Sequence, residues 1–252
     1  MNDTSFKLNA APIVEAILDI DCDMAPTHDL TALEAPIRDA FRDRYPKFRT
    51  QLLQEHQFEA SVDGAPKMTT RQGIQAFQLL QEDEKQLVQI RAQGFSFNRL
   101  APYTSLDDYL SEMERTWRVF VKLVAPVQVR LIRLRYINRI LLPMTNGKVK
   151  LDDYLKFGPQ LPDEDRLTFV GFLNQHSAVE ADTGNQVNVI LAAQPREHDS
   201  IPIIFDIEAF RTESIEPNDW TSLQSKIQSL RQLKNLVFKD SLTDQCLNLF
   251  QH

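Results

Sequence analysis

Twice along this chain, a series of strand-like segments ends in one long amphipathic stripe, and that order leaves few architectures open. Leu106, Tyr109, Leu110, Met113, Trp117, Phe120, Val121 and Val124 make the first stripe, and Trp220, Leu223, Ile227, Leu230, Leu233 and Val237 the second. Apolar residues at steps of three and four predict helices with one buried face, so Trp117 and Trp220 are expected in the core. Ahead of the first stripe, residues 13–22, 52–62, 74–81 and 87–98 read as strands. Residues 127–142, 167–179, 187–193 and 203–210 precede the second in the same way. A short helix is expected around Ile37, Ala40, Phe41 and Tyr45, with Pro36 in its first turn and Pro46 at its end. Residues 151–157 hold the matching place in the second half. Asp63-Gly64 and residues 81–85 read as turns. Ser105 with Asp108 resembles a capping box at the first long helix, and Leu242, Cys246, Leu249 and Phe250 suggest a terminal helix.

The expected fold is therefore α+β, built from two similar β-α-β-β-β-α halves, residues 1–125 and 126–252, which divide near Pro126 and pack as one compact unit. Joined edge to edge, the halves would form one antiparallel sheet backed by long helices, in a saddle-like or helix-grip-like shape. Joining hides two strand edges and leaves one sheet face open for a ligand or partner.

Composition removes several function classes. Of 252 residues, 42% are hydrophobic and 25% charged, an ordinary globular balance outside the range of disorder. Cys22 and Cys246 form no metal-ligand or CxxC spacing, which suits a reducing, cytoplasmic setting. Residues 1–6 lack the basic start and apolar run of a signal peptide, and no run reaches the ~20 apolar residues of a membrane span. The 7 glycines include no GxGxxG or GxxxxGK[ST], so no phosphate-cradling loop is expected. His28, His56, His176, His198 and His252 never fall four apart on a helix, and there is no GxSxG elbow. No catalytic residue, metal or cofactor is expected on these grounds. Cys22 lies on an apolar strand face and reads as core. The acid pairs Asp107-Asp108 and Asp152-Asp153 complement helix starts. A net charge of −7 and few aromatics on the sheet argue against nucleic acid as a partner.

Three segments carry a family resemblance. Ala11-Pro12-Ile13-Val14-Glu15-Ala16-Ile17, the run from Phe95-Ser96-Phe97-Asn98-Arg99-Leu100 to Ala101-Pro102-Tyr103, and Arg133-Leu134-Arg135-Tyr136-Ile137-Asn138-Arg139-Ile140 resemble, in order and spacing, an uncharacterised, sporadically distributed bacterial protein family. The resemblance implies a stand-alone bacterial protein and supplies no activity, cofactor or catalytic residue. Sporadic occurrence fits cargo such as an antiphage defence or toxin–antitoxin component.

The arginine-rich strand is the most informative local feature. Ile132, Leu134, Tyr136 and Ile140 alternate with Arg133, Arg135 and Arg139, with Arg130 just upstream. Arginine forks suit phosphate or carboxylate recognition, whereas cross-strand pairing with Glu15, Asp19 and Asp21 of the first strand would neutralise them. Asn98-Arg99 and Asn138-Arg139 each end a strand and would point into one groove if the halves correspond. Arg99, Arg133, Arg135, Asn138 and Arg139 are thus the candidate ligand or partner contacts. The sequence favours a non-catalytic binding or interaction protein with a protein partner. An enzyme, or a binder of a small anion such as a nucleotide in a groove between the halves, is the alternative.

Overall fold

The computed structural model describes residues 8–59, 67–163, 166, 167 and 169–251, with the main chain alone for 54–59 and 67–72. The first half contributes β1 (Ile13–Asp23), α1 (Glu34–Phe41), β2 (Lys47–Glu59), β3 (Lys67–Leu80), β4 (Gln86–Arg91), β5 (Gly94–Leu100) and α2 (Leu106–Val124). The second contributes β6 (Gln128–Pro143), β7 (Leu173–Val179), β8 (Gln186–Ala193), β9 (Ser200–Ile215), α3 (Trp220–Ser241) and α4 (Asp244–Asn248). The nine strands of the described residues join one antiparallel sheet in the order β2-β3-β4-β5-β1-β6-β9-β8-β7. The α+β class is as expected.

The two halves meet at β1 and β6, where Leu18 faces Leu134 and Ile20 faces Ile132. Strand alternation then sorts whole rows of residues. Val88, Phe97, Leu18, Leu134, Ala209 and Val187 form one continuous cross-strand row. These residues belong to the single buried core, closed by Phe41 of α1, Trp117 and Phe120 of α2, and Leu223, Ile227 and Leu230 of α3. The neighbouring row, Leu87, Asn98, Ile17, Arg135, Glu208, Asn188 and Ser177, faces away from those helices.

Several expected elements are corrected. Residues 87–98 are not one strand but the hairpin of β4 and β5. The chain turns at Ala92 and Gln93, and Gly94 passes so close to β1 that a Cβ there would lie 2.1 Å from the Ile20 carbonyl oxygen. Residues 151–157 form no α-helix; Leu151–Asp153 is a single 3-10 turn. β7 starts only at Leu173. The described halves therefore differ, with five strands in the first and four in the second, and neither repeats β-α-β-β-β-α. Ser105 makes no side-chain cap on α2 despite its capping-box spacing. The Asp63-Gly64 turn, the end of the strand expected at 52–62 and the N-terminal residues 1–6 lie outside the described residues.

α2 and α3 run antiparallel across the sheet. Arg231 of α3 donates to Asp107 at the start of α2 at 2.8 Å, while the Trp117 indole N–H donates to the Pro217 carbonyl at 2.9 Å, just ahead of α3. Both tryptophans are buried, as expected, with 1% of Trp117 and 5% of Trp220 exposed.

Candidate functional site

The arginines of β6 lie on the sheet face away from the helices, and that face neutralises itself. Asp21 accepts from Arg133 at 2.8 Å and from Arg91 at 2.7 Å. Arg135 forks onto Asp206 through Nε at 2.9 Å and Nη2 at 2.5 Å. The Asp206 carboxylate, with Glu208 and Glu15 nearby, holds that guanidinium above its ordinary pKa. Arg139 donates to Glu197 at 2.5 Å and to Gln194 at 3.1 Å. Asp206 keeps 6% of its surface, so water screens its pairing weakly.

The two Asn-Arg pairs do not share a groove, because their strands are out of phase. Asn98 points to the open face, donating to Glu15 at 2.8 Å and accepting from Gln89 at 3.2 Å. Asn138 instead points to the helix face, where it is buried and donates to the Phe205 carbonyl at 2.9 Å. Arg99 and Arg139 are reversed in the same way: Arg99 lies under α2, its guanidinium 5.4 Å from the centre of the Tyr109 ring. Of the five candidate contacts, Arg133, Arg135 and Arg139 lie on one face, and Arg99 and Asn138 on the other.

Asn138 opens onto a cavity of about 230 Å³ between α2 and α3, above the junction of β1 and β6. Tyr136 and Asn138 form its floor, Asp107 and Ser105 come from the start of α2, and Arg231 and Lys234 come from α3. All three segments that carry the resemblance reach this cavity: Ala11, Pro12 and Ile13 from the first, Tyr103 from the second, Tyr136 and Asn138 from the third.

Lys234 is the group that sequence reasoning missed. It sits among the apolar positions Ile227, Leu230 and Phe238 on the buried side of α3, and only 9% of it is exposed. Its Nζ lies 4.0 Å from the centre of the Tyr136 ring. Among the described residues no carboxylate or other hydrogen-bond acceptor meets that amine. Burial, and then the charge of Arg231 one turn back, push its pKa down to about 7. A ring face attracts the protonated amine, but by far less than water would solvate it.

An aromatic chain leads away from this amine. The Tyr136 and Tyr103 hydroxyls share a hydrogen bond of 2.9 Å. The Tyr103 ring contacts Tyr109 at 5.6 Å, and Arg99 closes the far end over Tyr109. The Arg99 Nε is itself buried and has no hydrogen-bond partner among the described residues. Burial pushes Tyr136 up to about 12 and raises Tyr103 as well, so both phenols stay protonated near neutral pH. Arg231 spends Nη1 on both Asp107 oxygens and on Gln228, at 2.8, 2.9 and 3.4 Å, and among the described residues no hydrogen bond engages its other nitrogens.

Elsewhere the chemistry is quiet. Burial pushes the Cys22 and Cys246 thiols up to about 12, which suits core residues and not nucleophiles. Among the described residues no cluster of His, Cys, Asp and Glu could hold a metal ion. No helix of the described residues is long and apolar enough to cross a membrane. No protein-family model, no curated protein and no solved structure matches the chain.

Proposed function

We propose that the protein binds a small acidic molecule in the cavity between α2 and α3. The observation that supports this most is Lys234, which lines the cavity, is nine-tenths buried, and bonds to no hydrogen-bond acceptor among the described residues. A buried cation is expensive unless it is paired, and a carboxylate or phosphate would complete the missing pair. Arg231 adds a second donor. The uncapped start of α2 lies beside them and favours negative charge. This is the small-anion alternative from the sequence, moved from the arginine strand to the helix face. The volume suits a molecule of a few carbon atoms, below the ~300–1,000 Å³ of drug-sized sites.

Calorimetry and thermal unfolding with inorganic phosphate, acetate and lactate test it. Bound ligand stabilises by RT ln(1 + [L]/Kd), so at least one acid should raise the unfolding temperature of the wild type but not of Lys234→Met. Equal effects on both proteins would remove Lys234 from the site.

Binding of a protein partner is the second reading, favoured by the sheet face that turns away from the helices. Its arginines already have carboxylate partners, which leaves less for a partner to recognise. We also read the two halves as diverged copies of one unit. Outward from the centre each half runs first strand, last strand, then the earlier strands in reverse order. Their unequal strand number argues the other way, and superposition of residues 1–125 on 126–252 tests it.

A further inference from the structure

The acid-binding reading leaves one feature unused: a site built only to hold an anion gains from a permanently charged donor, and Lys234 is placed where it loses its charge easily. Resting on that reading, we infer that the acid also carries an aldehyde or ketone, and that Lys234 condenses with this carbonyl to form an imine. Arginine would hold an anion at any pH, whereas a lysine beside another cation and away from water becomes a nucleophile.

The geometry assigns the two ends of such a ligand. Arg231, half-buried, and Lys234, buried, stand one turn apart on α3 and both line the cavity. Side chains three apart lie ~5–6 Å from each other at Cβ, a spacing that a short oxo acid spans. Its carboxylate would take the Arg231 nitrogens that Asp107 leaves open, and its carbonyl would meet Nζ. The Tyr136 ring, 4.0 Å from Nζ, excludes water from one side of the amine.

The chemistry balances without a further reactant. The nitrogen lone pair bonds to the carbonyl carbon while the C=O π pair moves to oxygen, and one of the two nitrogen protons passes to that oxygen to give a neutral carbinolamine. Nitrogen then loses its remaining proton, the hydroxyl leaves as water, and a C=N bond stands in place of C=O. Proton-bearing hydroxyls are at hand in Tyr103 and Tyr136, which line the same cavity and stay protonated near neutral pH. Among the described residues, the charged and titratable groups that line the cavity with Lys234 are Arg231 on its own helix, Asp107 on α2, Tyr103 ahead of α2 and Tyr136 on β6.

Reductive trapping tests this on the full chain. The wild type is incubated with glyoxylate or pyruvate and cyanoborohydride, and adducts are located by peptide mass spectrometry. One dominant adduct at Lys234 is expected, forming at least tenfold faster than at the exposed Lys122 and half-maximal near neutral pH. Lys234→Met and Lys234→Arg should lose that adduct, and Arg231→Gln should slow it severalfold. Thermal unfolding of each variant shows that it is folded, and the wild-type ratio of Lys234 to Lys122 labelling stands even if a variant is not. Labelling at Lys234 no faster than at Lys122 overturns the imine. If lactate, which has no carbonyl, still stabilises the wild type but not Lys234→Met, the acid-binding reading survives that loss. If no acid stabilises it, both fall.

Discussion

Lys234 and Tyr136 meet as amine and ring face, with Nζ 4.0 Å from the ring centre, and no carboxylate among the described residues completes the pair. An unpaired amine in this place acts against folding whenever it is protonated. The folded-state pKa of about 7 lies below the ordinary lysine value of 10.5, so the unfolded chain binds the proton more tightly. The penalty is complete below about pH 7 and fades as the pH rises toward the unfolded value.

Lys234→Met should therefore stabilise the protein, and most strongly in acid. Each unit of pKa difference corresponds to ~1.4 kcal/mol, so the gain at pH 6 should reach a few kcal/mol, less what the ring contact returns. By pH 9.5 most of the gain should be gone. Denaturant midpoints of both proteins at pH 6, 8 and 9.5 give the comparison, and a gap independent of pH would show that the amine is solvated.

Arg135→Ala should cost more than Arg139→Ala. Removing Arg135 strands Asp206, whose side chain is only 8% exposed, whereas Arg139 leaves Glu197 at 53%. An exposed pair contributes ~0–1 kcal/mol. A fully buried carboxylate that loses its partner costs ~3–5 kcal/mol, and the partial exposure of Arg135 lowers this toward about 1–3 kcal/mol. Urea unfolding of the two variants side by side reads the order, and equal midpoints would mean that Asp206 is hydrated in the folded state.

Gly94→Ala should be among the most damaging single changes. A Cβ at this position would come 2.1 Å from the Ile20 carbonyl oxygen, inside the pairing of β5 with β1, and main chain cannot give way as a side-chain tip can. Forced packing costs ~1–3 kcal/mol and occasionally more; the upper end applies here. Gly73→Ala, with nothing within 4 Å of the new methyl, is the matched control and should leave the unfolding midpoint nearly unchanged.

The helix stripes were legible because each depends only on local spacing. Residues 106–124 and the stripe from Trp220 onward fold as that spacing predicts. The β4–β5 hairpin was missed because apolar residues continue through it. Its signal was a change of phase, from Val88 and Ile90 to Phe95 and Phe97, with Gly94 between them. The arginine strand was legible as a strand and in part as an ion-paired face: the Arg133 partners lie on β1, Asp19 directly opposite and Asp21 on the diagonal, whereas Arg135 and Arg139 pair with Asp206 and Glu197 outside β1. Asn138 was chosen for its arginine neighbour, but strand alternation turns it to the opposite face. Lys234 carried a signal in the sequence, as a charged residue in step with Leu230 and Phe238. The cavity carried none, because it depends on how far α2 stands from α3, and residues 107 and 231 meet only through the whole sheet.

The ionisation of Lys234 tests the account most directly. Lysine labelled with ¹³C at Cε, assigned by comparison with Lys234→Met and titrated by NMR, gives the midpoint of this one amine. The expected value is about 7 in the free protein, rising when a small acid such as lactate is added, because a bound anion favours the charged form. A midpoint near 10.5 that no acid shifts would mean that the amine reaches water, and that the cavity between α2 and α3 is not the binding site.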